Sequence, residues 1–211
     1  MSQMVLTGGR AETAARGRDE MAIEPLVGPR KMGVLMFLCS ESMLFATVIA
    51  QYVRGQAQPI GPTPHDVLDV PKTLAFSVAL WLSSLTVQLA LLAVKRGSSR
   101  MMRVWLLLTA GLGGIFLWGE VSEWFNLFHQ NVTASRSIFA TSFFSLTGIH
   151  GIHVMVGLGF LLGTVIFSFI HEVPRSNDSG LEIVAIYWHF VDGMWVLLFG
   201  IIYFWSAFLG G

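Results

Sequence analysis

Ser142–Gly157 reads SFFSLTGIHGIHVMVG and places His150 and His153 three residues apart inside an apolar run from Ile138 to Ile170. A run of 33 residues is longer than a helix needs to cross a bilayer perpendicularly, so this segment is expected to tilt or project. Residues at i and i+3 share a helical face, and both imidazoles are therefore expected to look toward the same neighbour. In hydrocarbon that neighbour is not lipid, because an ionisable group at membrane depth faces protein or a water-filled cavity. The stretch reads as a packing seam and a candidate site together.

Composition agrees with a membrane location. Of 211 residues, 54% are hydrophobic and 12% charged, about half the charged fraction of an ordinary soluble domain. Thirteen basic and thirteen acidic residues leave no net field, which removes nucleic acid as a partner. The single cysteine, Cys39, can form neither an internal disulfide nor a thiolate metal cluster.

Outward from the histidines, the chain divides into an all-α integral membrane bundle of five transmembrane helices. Residues 1–30 form a polar tail without the apolar core of a secretory signal. Residues 31–211 hold the transmembrane domain, with spans at about 32–53, 74–94, 104–128, 138–170 and 181–209. The connection 54–71 carries Pro59, Pro62, Pro64 and Pro71 and reads as a loop; 129–137 and 171–180 read likewise. Lys95-Arg96-Gly97-Ser98-Ser99-Arg100 is a tight basic turn. Ten Lys and Arg flank one side (Arg10, Arg16, Arg18, Arg30, Lys31, Lys95, Arg96, Arg100, Arg103, Arg175), against Arg54, Lys72 and Arg136 on the other. The N-terminus is thus expected in the cytoplasm and the C-terminus outside.

Three i,i+3 pairs carry what chemistry the spans hold: Glu120/Glu123, His150/His153 and His189/Asp192, with Glu41 alone. Carboxylates and imidazoles at this spacing build di-iron sites in helical bundles, so a membrane metalloenzyme using His150, His153, His189 and Asp192 is one reading. Its register is poor, because Glu41 and His189 lie about 14 and 12 Å from the basic ends of their spans and Glu120 about 24 Å up. The competing reading assigns Glu120, Glu123, His150, His153, His189 and Asp192 to interhelical hydrogen bonding, helped by Gly148, Gly151, Gly157, Gly159 and Gly163, and assigns no metal ligand. His189 and Asp192 are then expected to bond each other or the fourth helix. Glu41 has Phe37, Leu38, Leu44 and Phe45 as helical neighbours and no nearby Lys or Arg. Its carboxyl is expected to be protonated or paired across helices, a proton-related site.

SFFSLTGIHGIHVMVG and YWHFVDGMW (Tyr187–Trp195) closely resemble the two signature segments of subunit III of the heme-copper oxidases. LMFLCSESMLF (Leu35–Phe45) resembles that family's first shared helix, with Glu41 on its buried glutamate, and EVSEWF (Glu120–Phe125) resembles its third. The resemblance runs from about Gly33 to Trp205 and is to the shorter, five-helix bacterial form. It implies a non-catalytic subunit of a proton-pumping cytochrome c oxidase in the bacterial cell membrane and the aerobic respiratory chain. Such a subunit binds and stabilises subunit I directly, lies with subunit II and other respiratory-complex subunits among membrane lipids, and supports proton uptake. Heme and copper would sit in the partner subunits, this chain binding no cofactor except, on the same resemblance, phospholipid. Quinol oxidases and nitric-oxide-reductase accessory proteins share much of the pattern and stand as alternatives.

Overall fold

In the computed structural model, residues 28–56, 70–129, 138–171 and 180–205 are described. They form α1 (Pro29–Gln56), α2 (Val70–Lys95), α3 (Ser99–His129), α4 (Ile138–Ile170) and α5 (Gly180–Phe199), with a π-helical continuation at Gly200–Trp205. All five helices are long and apolar enough to cross a membrane. Most of the expected polar tail, the Pro-rich loop, the connections at 130–137 and 172–179, and the end of the fifth span fall outside the described residues.

Each helix runs past its most apolar core. α1 begins with Pro29, whose missing N–H costs nothing in a first turn, and the Gly28 carbonyl accepts from Met32 N–H at 3.1 Å. Arg103, expected in a loop, lies inside α3. The basic turn between α2 and α3 is closed by Gly97 at φ 79°, a left-handed conformation that favours glycine. Gly97 N–H donates to Val94 O at 2.8 Å and Ser98 N–H to Ala93 O at 2.9 Å, the paired bonds of a Schellman ending. Ser98 Oγ then accepts from Met101 N–H and caps α3. One residue ends one helix while the next starts another, so α2 and α3 pack side by side along their length.

Polarity is inverted relative to a soluble bundle. Ser77, Ser83, Thr109, Glu123 and His150 are buried, while Met43, Leu85, Trp118, Ile166 and Phe169 are exposed. Without a hydrophobic drive between helices in lipid, small residues and hydrogen bonds must hold the bundle together. Trp188 lies between α3 and α4, where a Cβ at Gly113 would approach its ring to 2.7 Å and one at Gly157 to 2.8 Å. Gly159 and Gly163, a small-xxx-small pair in α4, instead face open space. α1 sits at the margin against α4 and α5, tied at one end by a 3.0 Å ion pair from Lys31 to Glu182.

Candidate functional site

The two central histidines part company. His153 turns to α1, where its Nε2 lies 3.0 Å from Glu41 Oε2. His150 turns to α3 and α5, its ring stacked 4.8 Å from Trp195 and edge-on to Phe116 at 5.8 Å. The expectation of one shared neighbour is corrected. Three residues advance an α-helix by about 300°, leaving a 60° offset that suffices to separate directions when α4 is surrounded by three helices.

The Glu41–His153 pair is built from both ends. His153 Nδ1 lies 2.7 Å from Ile149 O, and a carbonyl only accepts, so Nδ1 carries a hydrogen and Nε2 is the atom presented to Glu41. The 3.0 Å contact fits a hydrogen bond between a carboxyl and an imidazole nitrogen, whichever of the two supplies the hydrogen. Tyr187 O–H donates to His153 O at 3.2 Å, pinning α5 to the same turn, and the Phe45 ring packs 5.1 Å from the imidazole. The side chains keep 17% and 14% exposure for Glu41 and His153, so the pair borders the bundle surface. Next to it, a groove of about 530 Å³ runs between α1, α4 and α5, walled by Gly33, Phe37, Phe160, Val184 and Tyr187, with Arg30 at one end.

The expectation that His189 and Asp192 bond each other or the fourth helix is corrected: among the described residues both reach α2 instead. Ser84 O–H donates to Asp192 Oδ2 in a short contact, leaving Ser84 Oγ to accept from His189 Nδ1–H at 3.2 Å. Gln88 Nε2 meets His189 Nε2 at 2.6 Å. The same face of α2 takes Trp188 Nε1–H on Ser83 Oγ and Trp195 Nε1–H on Ser77 Oγ, each at 2.9 Å. At the far end Glu123 accepts from Thr73 at 2.9 Å and from Tyr203 at 3.1 Å. Glu120 is buried against Gly151, and neither its oxygens nor the His150 nitrogens have a hydrogen-bond partner among the described residues. Among those residues no three His, Cys, Asp or Glu side chains converge as a metal site.

The polar positions of α2 were the residues that composition left unassigned. Thr73, Ser77, Ser84 and Gln88 are spaced by four, seven and four and form a helical stripe, with Ser83 and Thr86 the other uncharged polar residues beside it in the span. That stripe is the signal that marks α2 as the hydrogen-bonding partner of α5.

The arrangement places residues of all four resembling segments in contact across helices. The sequence model of the family described as Cytochrome c oxidase subunit III matches residues 10–207. The chain belongs to that family. Cytochrome bo(3) ubiquinol oxidase subunit 3 of Pseudomonas aeruginosa is 31% identical over 98% of this chain and 100% of its own length. Cytochrome c oxidase subunit 3 of Corynebacterium diphtheriae is 35% identical, covering 91% of this chain and 98% of the relative. A probable quinol oxidase subunit 3 of Staphylococcus saprophyticus is 30% identical over 82% and 87%. As subunit III of a heme-copper oxidase, the chain is a multi-pass membrane protein associated with other oxidase subunits.

Proposed function

We propose that this subunit III serves a proton-pumping cytochrome c oxidase of a bacterial cell membrane, binding subunit I directly and supporting its proton uptake without a redox centre of its own. The observation that carries the proton-related part is the Glu41–His153 pair, an imidazole and a carboxyl 3.0 Å apart across two helices at the bundle surface. Passing a proton between Glu41 and His153 keeps the pair neutral overall, so the proton can shift across the helix interface without stranding a net charge in hydrocarbon. Subunit II, the heme and copper centres and other respiratory-complex subunits belong to the surrounding assembly in this reading. The N-terminus lies in the cytoplasm and the C-terminus outside. The groove beside the pair, apolar with Arg30 at one end, suits the acyl chain of an anionic phospholipid.

Relatives named for quinol oxidation support a second reading, in which the complex draws electrons from quinol. Mild-detergent purification through a tag on this chain tests both. The expected result is co-purification of a heme-bearing partner, oxidation of reduced cytochrome c in preference to quinol, and no stoichiometric iron, copper or zinc on the separated subunit. Preferred quinol oxidation replaces the first reading by the second, and recovery of the chain without heme overturns both.

A further inference from the structure

Glu120 of α3 and His150 of α4 stand apart from the hydrogen bonds that join the other polar side chains of the bundle. His150 is 0% exposed and Glu120 7%, and all four of their side-chain polar atoms are buried with no hydrogen-bond partner among the described residues. Buried polar atoms are nearly always bonded, so four of them in one region need a partner of some kind.

The two side chains share a depth. A Cβ at Gly151 would lie 3.1 Å from Glu120 Oε1 and 3.2 Å from Oε2, and one at Gly148, a turn away, would lie 3.2 Å from Trp124. α3 and α4 thus run antiparallel here with Glu120 opposite Gly151, and His150 is one residue, about 1.5 Å of rise, from that level. Phe116, four residues before Glu120 on the same face of α3, meets the His150 ring edge-on at 5.8 Å, so the imidazole packs against the face that carries the carboxyl. Trp195 stacks on the other side of the ring at 4.8 Å, and a swing of the imidazole onto Glu120 would give up both ring contacts.

Only a small molecule reaches such atoms. Lipid headgroups and the side chains of partner subunits stop at the bundle surface, where His150 has no exposure. One carboxyl and one imidazole are also too few to gather a metal ion, and no third His, Cys, Asp or Glu joins them among the described residues. Water needs two to four polar partners and is both donor and acceptor. A neutral imidazole offers one N–H and one bare nitrogen, and a carboxyl offers two oxygens, so a water between them has a bond to make on each side. We propose that Glu120 and His150 hold an enclosed water in the seam of α3, α4 and α5. This hydration site lies across α4 from the Glu41–His153 pair, so that one helix carries a polar site toward α1 and another toward α3. The inference stands on these contacts alone and holds whichever electron donor the complex uses.

X-ray hydroxyl-radical labelling of the tagged chain in its purified complex tests it, because radicals formed from a bound water oxidise the side chains around it even where these are closed to solvent. Trp195, 2% exposed, stacks on His150 and gives its indole N–H to Ser77. Trp188, 1% exposed, gives its own to Ser83 and serves as the internal standard. Trp195 is expected to be oxidised at least threefold faster than Trp188, and Glu120→Leu, of similar volume, is expected to bring the two rates together. Equal rates in the unsubstituted chain, or an excess at Trp195 that Glu120→Leu leaves intact, would overturn the enclosed water. Should Glu120→Leu fail to accumulate, the comparison of the two tryptophans in the unsubstituted chain decides.

Discussion

Glu41 and His153 are separated by 112 residues and meet at 3.0 Å, and that contact makes them a unit rather than two polar intrusions. Their mutual dependence is measurable. Glu41→Leu and His153→Leu should each lower the melting temperature of the complex, and the double substitution should cost less than the two together. The expected coupling is about 0.6 kcal/mol, with about 1.7 kcal/mol as the upper end for hydrogen bonds between membrane helices. Strict additivity in the double-mutant cycle would deny the pair. Sequence marked Glu41 as needing a partner, because nothing basic lies near it in the chain. It did not name His153, since a lone helix's periodicity says which face a residue occupies but not which helix covers that face. His150 illustrates the same limit: three residues from His153, it packs against different rings.

Among helices, contact is governed by which glycines are covered. Gly157 and Gly159 are two residues apart in α4, yet a Cβ at Gly157 would lie 2.8 Å from Trp188 Cε3, whereas one at Gly159 would meet nothing within 4 Å. Gly157→Ala is expected to destabilise by about 1–3 kcal/mol through overpacking against a fully buried indole. Gly159→Ala should stay within about 0.5 kcal/mol. Thermal denaturation of the two variants in the same detergent separates them, and equal shifts would refute the assigned helix faces. The number of helices and their apolar cores were legible because twenty-residue apolar runs have few alternatives. The selective use of glycines was not, because Gly159 and Gly163 satisfy the small-residue spacing as well as the covered ones do. What α2 contributes is visible in sequence only as polarity, at Ser77, Ser83, Ser84, Thr86 and Gln88 alike, and only the fold brings α5 alongside.

For the molecule as a whole, five apolar helices place the two termini on opposite sides if each crosses the membrane. The orientation proposed from the bias of basic residues has the N-terminus inside. A cytoplasm-active reporter fused before Met1 should give signal and the same reporter after Gly211 should not; signal from both would mean that one helix fails to cross.

The margin position of α1 matters for the life of the chain before it finds its complex. Only 11% of the most apolar stretch of α1 is buried, against 44% in α2 and α5, and Lys31–Glu182 and Glu41–His153 are among its polar ties to the others. A copy made without its partners carries a helix that comes away from its neighbours more readily than any other in the bundle, and loosened membrane helices are what quality-control proteases seize. In cells lacking the heme-bearing subunit, pulse-chase labelling should therefore give this chain a half-life several times shorter than in the parent strain. Equal half-lives would mean that α1 holds without help. The weak seating of one helix thus ties the supply of the subunit to the supply of its partners, so that surplus copies are cleared rather than stored.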